Sequence, residues 1–599
     1  MSVRVSQLAC LSGLVSVFLV CSLPCRADLR QDAVKQQEQQ EKPATKRYMK
    51  LAEQRVLIEK QLSTRNDLSM DSRIRLQKKI TELDTEVIAG LTSGAKSFYD
   101  GSPKDRKIIL DAFQNALIKD RFRLSQTYQS AGKYAEGVSE VERTIALSKS
   151  VLGDDHWRTR EYHLKLGVAK WLKQADASKL ADWKQCIEAR RVANTALSKR
   201  DYAAAIESYD KIISKLKELK LTETMRFGEA VANQAEVFRR AGKPQQAEQA
   251  FEEAIRVNDK LFNKRSPTNA NMRRSFGDFL RQNKKYEKAL SILSEAEALF
   301  VATGKARSLE LGYTLFLKGL CQIETNQDPA ACKSLLRSHR MFSDLRQSRL
   351  SNLMGQVKTS LFKVFARTNA AKEDPAKIAV NAGAIADSIF KNDTESSAQW
   401  LALIAESLQQ RNQSKDAIGV FSEARTRFEK LGDHKNRIDY IECLTNLAAA
   451  SYRGGALDDA IEYAKQATNF AGKAKGRQSM FFAYRAQNLA VFLTIKGKHE
   501  EAEKVFAELI PVLKTNLGTR NAGFLRVLFD RAANDLKAGK IQQAIARLSE
   551  IKTLHEQMPN RSKADYLRVL QNLKSAYEKN GDQAKADQMQ ELIDKVRGQ

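Results

Sequence analysis

At 599 residues, with 28 glycines, 9 prolines, 29% charged residues and a formal net charge of +28, the chain has few helix breakers and many charges. Long alternating β-branched runs are absent, which excludes a sheet-based fold and leaves an all-α protein built from helix hairpins. The positive excess is spread evenly, which argues against a dedicated nucleic-acid tail and no specific nucleic acid is expected; acidic proteins, anionic envelope components and phospholipid head groups are favoured instead.

Residues 1–27 read as an export signal peptide. Arg4 supplies a positive start, Leu8 to Leu23 is mostly apolar but short of the about 20 residues a membrane span needs, and Cys25-Arg26-Ala27 offers a cleavage site. The pattern predicts an exported chain, periplasmic or secreted, cut near Ala27, with membrane anchoring as the alternative. Residues 28–47, rich in Gln, Glu and Lys, predict a flexible polar spacer with structure starting near Tyr48. Over 48–117, Leu76, Ile80, Leu83, Val87 and Leu91 recur at three- or four-residue steps, enough for an N-terminal helical cap and too few for a coiled coil.

From residue 118 the chain repeats. Ala205, Ala247, Ala289 and Ala331 form one run with a constant step of 42, and Ala460, Ala502, Ala544 and Ala586 form a second. In one unit, Val231, Ala235 and Phe238 share one face of a first helix, a turn follows at Ala241 to Pro244, and Ala247, Phe251 and Ala254 share one face of a second. Small residues such as Ala235 and Ala247 let the pair approach closely, while Phe251 fills the space toward the next pair. A two-helix unit cannot bury its apolar stripe alone, so neighbours must stack into a solenoid with a continuous inner surface.

The same order recurs in Phe276, Gly277, Leu280, Tyr286, Ala289 and in Leu489, Ala490, Leu493, Gly497, Ala502, Phe506, and Gly132-Lys133-Tyr134 is followed by Leu152-Gly153-Asp154-Asp155-His156. These residues resemble the tetratricopeptide repeat (TPR) in its long form, similar to kinesin-light-chain-like repeats, over roughly 118–599. The resemblance implies a right-handed superhelical solenoid of antiparallel helix hairpins, in one or two blocks: 118–345, a degenerate unit over 346–397, and 398–599. Departures are expected at three places. Gly137 stands where alanine belongs and lies 68 residues before Ala205, so Trp157 to Trp183 must hold a displaced or unusual hairpin; between Ala331 and Ala417 the register is imperfect, with Ala376 as the substitute small residue; and Pro511 should kink a long second helix.

In such repeats the first helices line the concave face. There Asn446, Asn488 and Asn572 stand 42 and 84 apart, Asp530 occupies the step between, and Asn233 holds the matching place in the earlier block. An amide both donates and accepts, so the column can grip the backbone of an extended peptide, or each member can bond a neighbouring helix; peptide binding is what the resemblance implies. Gln487, Gln571, Tyr484, Tyr452, Arg453, Arg526 and Arg568 border the column, with Arg240, Arg274 and Arg281 in the earlier block, and arginine there suits carboxylates. Six scattered histidines, no metal-ligand spacing and no phosphate loop or nucleophile elbow argue against an enzyme, and no cofactor is expected. Cys321 and Cys332 flank one turn and could form a disulfide or remain two buried thiols. The functional expectation is a non-enzymatic scaffold that binds an extended segment of a partner protein; the alternative is a self-associating envelope protein bridging anionic polymers or membrane surface through its basic exterior.

Overall fold

A computed structural model describes residues 43–598 apart from 66, 95–97, 100–101, 263–264, 346–349, 368–374 and 559–560. The expected export signal and residues 28–42 of the expected spacer therefore lie outside the described residues. Helix already starts at Pro43, five residues before Tyr48, because the Ala-Thr-Lys-Arg stretch that follows Pro43 holds no breaker. Among the described residues there are 25 α-helices, one short 3₁₀ turn and no strand, and no helix is long and apolar enough to cross a membrane.

The described residues divide into two compact units, 43–284 with 294–306 and 285–293 with 307–598. The first holds α1 (Pro43–Thr64), α2 (Met70–Thr92), α3 (Pro103–Ser130), α4 (Tyr134–Leu152), α5 (Trp157–Gln174), α6 (Ala177–Ser198), α7 (Tyr202–Glu218), α8 (Met225–Arg240), α9 (Pro244–Phe262) and α10 (Pro267–Gln282). Helix α11 (Tyr286–Ala302) is shared between the two. The second holds α12 (Leu309–Glu324), α13 (Asp328–Asp344), α14 (Ser351–Arg367), α15 (Pro375–Phe390), α16 (Thr394–Gln410), α17 (Ser414–Glu429), α18 (Ile438–Arg453) and α19 (Leu457–Lys475). It continues with α20 (Met480–Ile495), α21 (His499–Leu517), α22 (Ala522–Lys537), α23 (Ile541–Glu556), α24 (Lys563–Lys579) and α25 (Gln583–Gly598). Each unit is an all-α stack of helix hairpins.

Local chemistry sets the repeat. All eight step-defining alanines sit early in second helices at 0% exposure, where a larger side chain would push the first helix away. Entry to the second helix uses a left-handed residue two positions before it: Gly242, Gly455, Gly497, Gly539 and Gly581 do so without strain, while Arg200, Lys284, Asn326 and Asn412 take the same backbone region with a side chain. First helices start differently, with Thr224, Ser266, Ser308, Ser479, Asn521 and Ser562 accepting a backbone N–H as side-chain caps. Between repeats, Phe251 stacks 5.3 Å from Phe276 of the next first helix.

The departures resolve into specific substitutions of structure. Trp157 to Trp183 is not a hairpin: α5 is a single extra helix packed on α4, and the chain then opens a longer first helix, α6, which pairs with α7. Gly137 replaces alanine because a Cβ there would meet Gln129 Cγ at 3.0 Å and the Ser125 carbonyl at 3.3 Å. In the degenerate stretch, α14 and α15 are both formed, and Ile378, Ala382 and Ala386 supply α15's buried stripe. Gly383 leaves room there for Arg427, whose buried guanidinium donates to the Gly383 carbonyl at 3.1 Å, to Ser397 Oγ at 2.6 Å and to Asp387. Two expected boundaries move, since 117/118 falls inside α3 and 397/398 inside α16; apolar periodicity marks helices, not where one core hands over to the next. Helix α21 runs unbroken through Pro511. Cys321 and Cys332 are fully buried thiols, not a disulfide, and burial pushes Cys332 up to about 12.

Candidate functional site

In the second unit, the residues of the expected column fall one each on α18, α20, α22 and α24. Asn446, Asn488, Asp530 and Asn572 occupy equivalent positions on these four helices and all are of intermediate exposure. One turn further along each helix stand Ala449, Val491, Ala533 and Ser575, again 42 apart, so small side chains floor the face beside the polar column. Glu442, Tyr484, Arg526 and Arg568 form the row one turn before it, all exposed, with Tyr484 at 51%.

The column's amides are not equivalent. Asn446 Nδ2 donates to Glu406 Oε1 of α16 at 2.9 Å, and Glu406 also receives Lys358 of α14, so the alternate helices α14, α16 and α18 are laced together. Asp530 accepts from Gln487 Nε2 of α20 at 3.1 Å, and burial nonetheless raises its carboxyl above the usual range. Asn572 turns back on its own helix, donating to the Arg568 carbonyl at 2.8 Å. Among the described residues the Asn488 amide has no hydrogen-bond partner, and it lies one turn from exposed Tyr484. Each bonded amide still keeps acceptor and donor capacity for a ligand.

The bordering residues separate similarly. Arg453 and Arg526 are exposed with no hydrogen bond or ion pair among the described residues, Gln571 is exposed, and Arg568 pairs with Asp565 at 3.1 Å. Tyr452 lies 5.1 Å from Phe492, ring to ring. Sequence reasoning missed Arg485, whose guanidinium sits 3.8 Å over the Phe481 ring and reaches Glu442 at 3.5 Å; only its i+4 spacing from Phe481 hinted at the stack.

In the first unit the expected residues do not gather. Arg240 bonds Glu236 at 2.8 Å, Arg281 bonds Asp278 at 2.8 Å, and Arg274 contacts Asn271 at 3.4 Å, each within its own helix. Asn233 lies instead in a cleft with Trp183, Arg190, Arg226 and Glu229. A cavity of about 630 Å³ lies elsewhere in the unit, where Arg160 Nε of α5 donates to the Leu261 carbonyl at 2.9 Å, and none of the expected residues lines it. Among the described residues no group of His, Cys, Asp and Glu has the arrangement of a metal site.

Two segments match family models for the tetratricopeptide repeat, residues 123–158 and 228–300. Solved structures that resemble the chain include BtubC (BKLC) from P. vanneervenii, 18% identical over 37% of this chain and 89% of that one with a TM-score of 0.32. A putative kinesin light chain of Podosopora anserina with nearly identical TPR-like repeats is 18% identical over 35% and 97% with a TM-score of 0.31. The apo quorum sensor NprR from B. thuringiensis is 13% identical over 69% and 98% with a TM-score of 0.28. No curated protein matches the sequence. Residues 123–158 and 228–300 are thus tetratricopeptide repeats, set in an all-α chain whose helix hairpins carry fully buried alanines at a 42-residue step in two runs.

Proposed function

We propose that this chain is a non-enzymatic interaction scaffold that holds an extended segment of a partner protein along α18, α20, α22 and α24. Tetratricopeptide repeats suggest protein–protein interaction in general. The extended-segment reading is supported by one observation above all: a polar column and a floor of small residues run side by side, one position of each per helix, at a constant step. A peptide main chain presents donors and acceptors at regular intervals and needs close approach, which small residues allow. The lacing of Asn446 to Glu406 and of Gln487 to Asp530 holds the face in one geometry before a partner arrives, lowering the ordering cost of binding. An exported location, periplasmic or secreted, belongs to the same proposal.

The test is the triple variant Asn446→Ala, Asn488→Ala, Asn572→Ala, compared with the parent chain for capture of partners from an envelope extract. With helical circular dichroism unchanged, capture is expected to fall at least tenfold, as loss of several backbone contacts of roughly 0.5–1.5 kcal/mol each implies. Undiminished capture refutes the column. Capture that survives the substitutions and collapses between low and physiological salt would support the second reading, charge-driven association through the basic exterior.

A further inference from the structure

Helix α5, which the repeat does not account for, closes the first unit onto a segment 101 residues away in sequence: Arg160 Nε donates to the Leu261 carbonyl at 2.9 Å. That carbonyl belongs to the last turn of α9, where carbonyls have no partner within their own helix. Between α5 and the end of α9 a cavity of about 630 Å³ remains open, within the about 300–1,000 Å³ of small-molecule sites. Trp157, Leu164 and the buried Phe262 give it an apolar wall, and Arg160, Arg265 and Asp155 bring charges of both signs. The indole of Trp157 is held by Arg158, 5.2 Å over its ring, and by the His156 ring at 5.4 Å. Asp154, a second acid at the cavity, is neutralised by Lys149 at 3.0 Å. The other charges are not compensated. The side chains of Arg265 and Asp155 have no hydrogen bond or ion pair among the described residues, and Arg160 uses only Nε, which leaves both its terminal nitrogens without a partner there. Capping of α9 needs one donor and packing of α5 needs none, so neither accounts for unpaired charges of opposite sign around one space.

We infer that the α5–α9 cavity is a binding site for a small apolar zwitterion, an amino acid or dipeptide with a free ammonium, a free carboxylate and an apolar side chain. The carboxylate lies between Arg160 and Arg265, whose planar N–H forks match its two oxygens. The ammonium pairs with Asp155, and the apolar side chain covers Trp157, Leu164 and Phe262. Because the Leu261 carbonyl already fixes Arg160, less freedom is lost when the ligand arrives. Two guanidiniums face one uncompensated acid, so a ligand with an ammonium and no carboxylate is disfavoured. The inference does not rest on the proposed groove, because every residue in it belongs to the first unit and none to α18, α20, α22 or α24.

Calorimetric titration of the full chain with L-leucine and with L-leucyl-L-leucine, each beside its N-acetylated form and its amide, tests the site. One of the two zwitterions is expected to bind about tenfold or more tightly than both of its own derivatives, because each derivative lacks one of the two charged contacts. Which zwitterion binds assigns the ligand as a free amino acid or a dipeptide. Arg265→Gln should bring the zwitterion close to its amide, Asp155→Asn should bring it close to its acetylated form, and Asn488→Ala in the other unit should change neither comparison. No binding of either zwitterion at millimolar concentration, a derivative that binds as tightly as its zwitterion on the parent chain, or the same loss from Asn488→Ala as from Asp155→Asn overturns the inference. Arg160 stays in place throughout because it caps α9, and circular dichroism checks the folding of each variant. Should a variant not fold, the comparison of zwitterion with derivatives on the parent chain decides the matter.

Discussion

Individual residues carry the repeat in two ways, by being small and by tolerating a left-handed backbone. The alanines at 0% exposure are fixed by helix–helix distance, so their identity follows from packing alone. The turn residues are less well matched. Lys284 at φ 60° and Arg200 at φ 61° occupy the place where Gly242 and Gly497 stand in other repeats, and each bears the crowding of its Cβ against the carbonyl. Lys284→Gly and Arg200→Gly are each expected to stabilise the fold by about 1 kcal/mol, measured by thermal or urea unfolding, because relief of the left-handed strain exceeds the added freedom of the unfolded chain. Destabilisation by either would mean that the side chain earns a contact worth more than that strain. At this scale the polar column also divides: Asn446, Asn488 and Asn572 share a register in the sequence, yet one laces helices, one is open and one bonds its own backbone.

Single elements are held by buried charge where the repeat gives no alanine. Helix α1 is fastened by Arg55, whose guanidinium reaches Asp84 of α2 and Asp120 of α3 at 2.6 Å each and Glu59 at 2.8 Å, with Asp84 at 0% exposure. Removing the cation that bridges three carboxylates leaves Asp84 buried and unpaired, while Asp120 keeps Arg123 at 3.1 Å, so Arg55→Met should cost about 3 kcal/mol in α1 docking, read as faster amide exchange over 43–64. Burial, against the pull of Arg55, pushes the Asp84 carboxyl up to about 7. The folded state thus keeps a proton that the unfolded chain loses near pH 4. The contribution of Asp84 to folding is therefore most favourable at the acid end of that window, weakens as pH rises toward about 7 and levels off above it. Amide exchange at pH 5.5 and 7.5, corrected for intrinsic rate, should show more opening at the higher pH; the reverse trend would exclude Asp84 as the responsible group. Arg427 ties α17 to α15 through the Gly383 carbonyl and Asp387; since Asp387 is 63% exposed and its charge screened by water, Arg427→Met should loosen the 375–390 segment by only about 1 kcal/mol in the same measurement.

For the whole molecule, the evenly spread charge and the proposed export signal bear on where the chain works and what reaches it. Expression of the full sequence in an exporting host is expected to release a protein whose intact mass lacks residues 1–27 and whose first residue is Asp28; a released protein that still begins at Met1 refutes cleavage. The repeat, its period and the pairing of most helices were legible from the alanine steps and from turn glycines such as Gly455 and Gly497, because helix spacing and left-handed turns are set by residues within four positions of one another. The extra helix α5, the helical start at Pro43 and the hold of Arg427 on Gly383 were not legible, since each depends on what a segment meets after stacking. The sequence by itself determined a stack of helix hairpins with a polar column at one register. Only the tertiary structure decided which amides of that column are engaged and that Arg226 lies over the ring of Trp183, more than 40 residues away in sequence. Side-chain partnerships between helices depend on rotamers and on the stagger of neighbouring repeats, and no local periodicity encodes either.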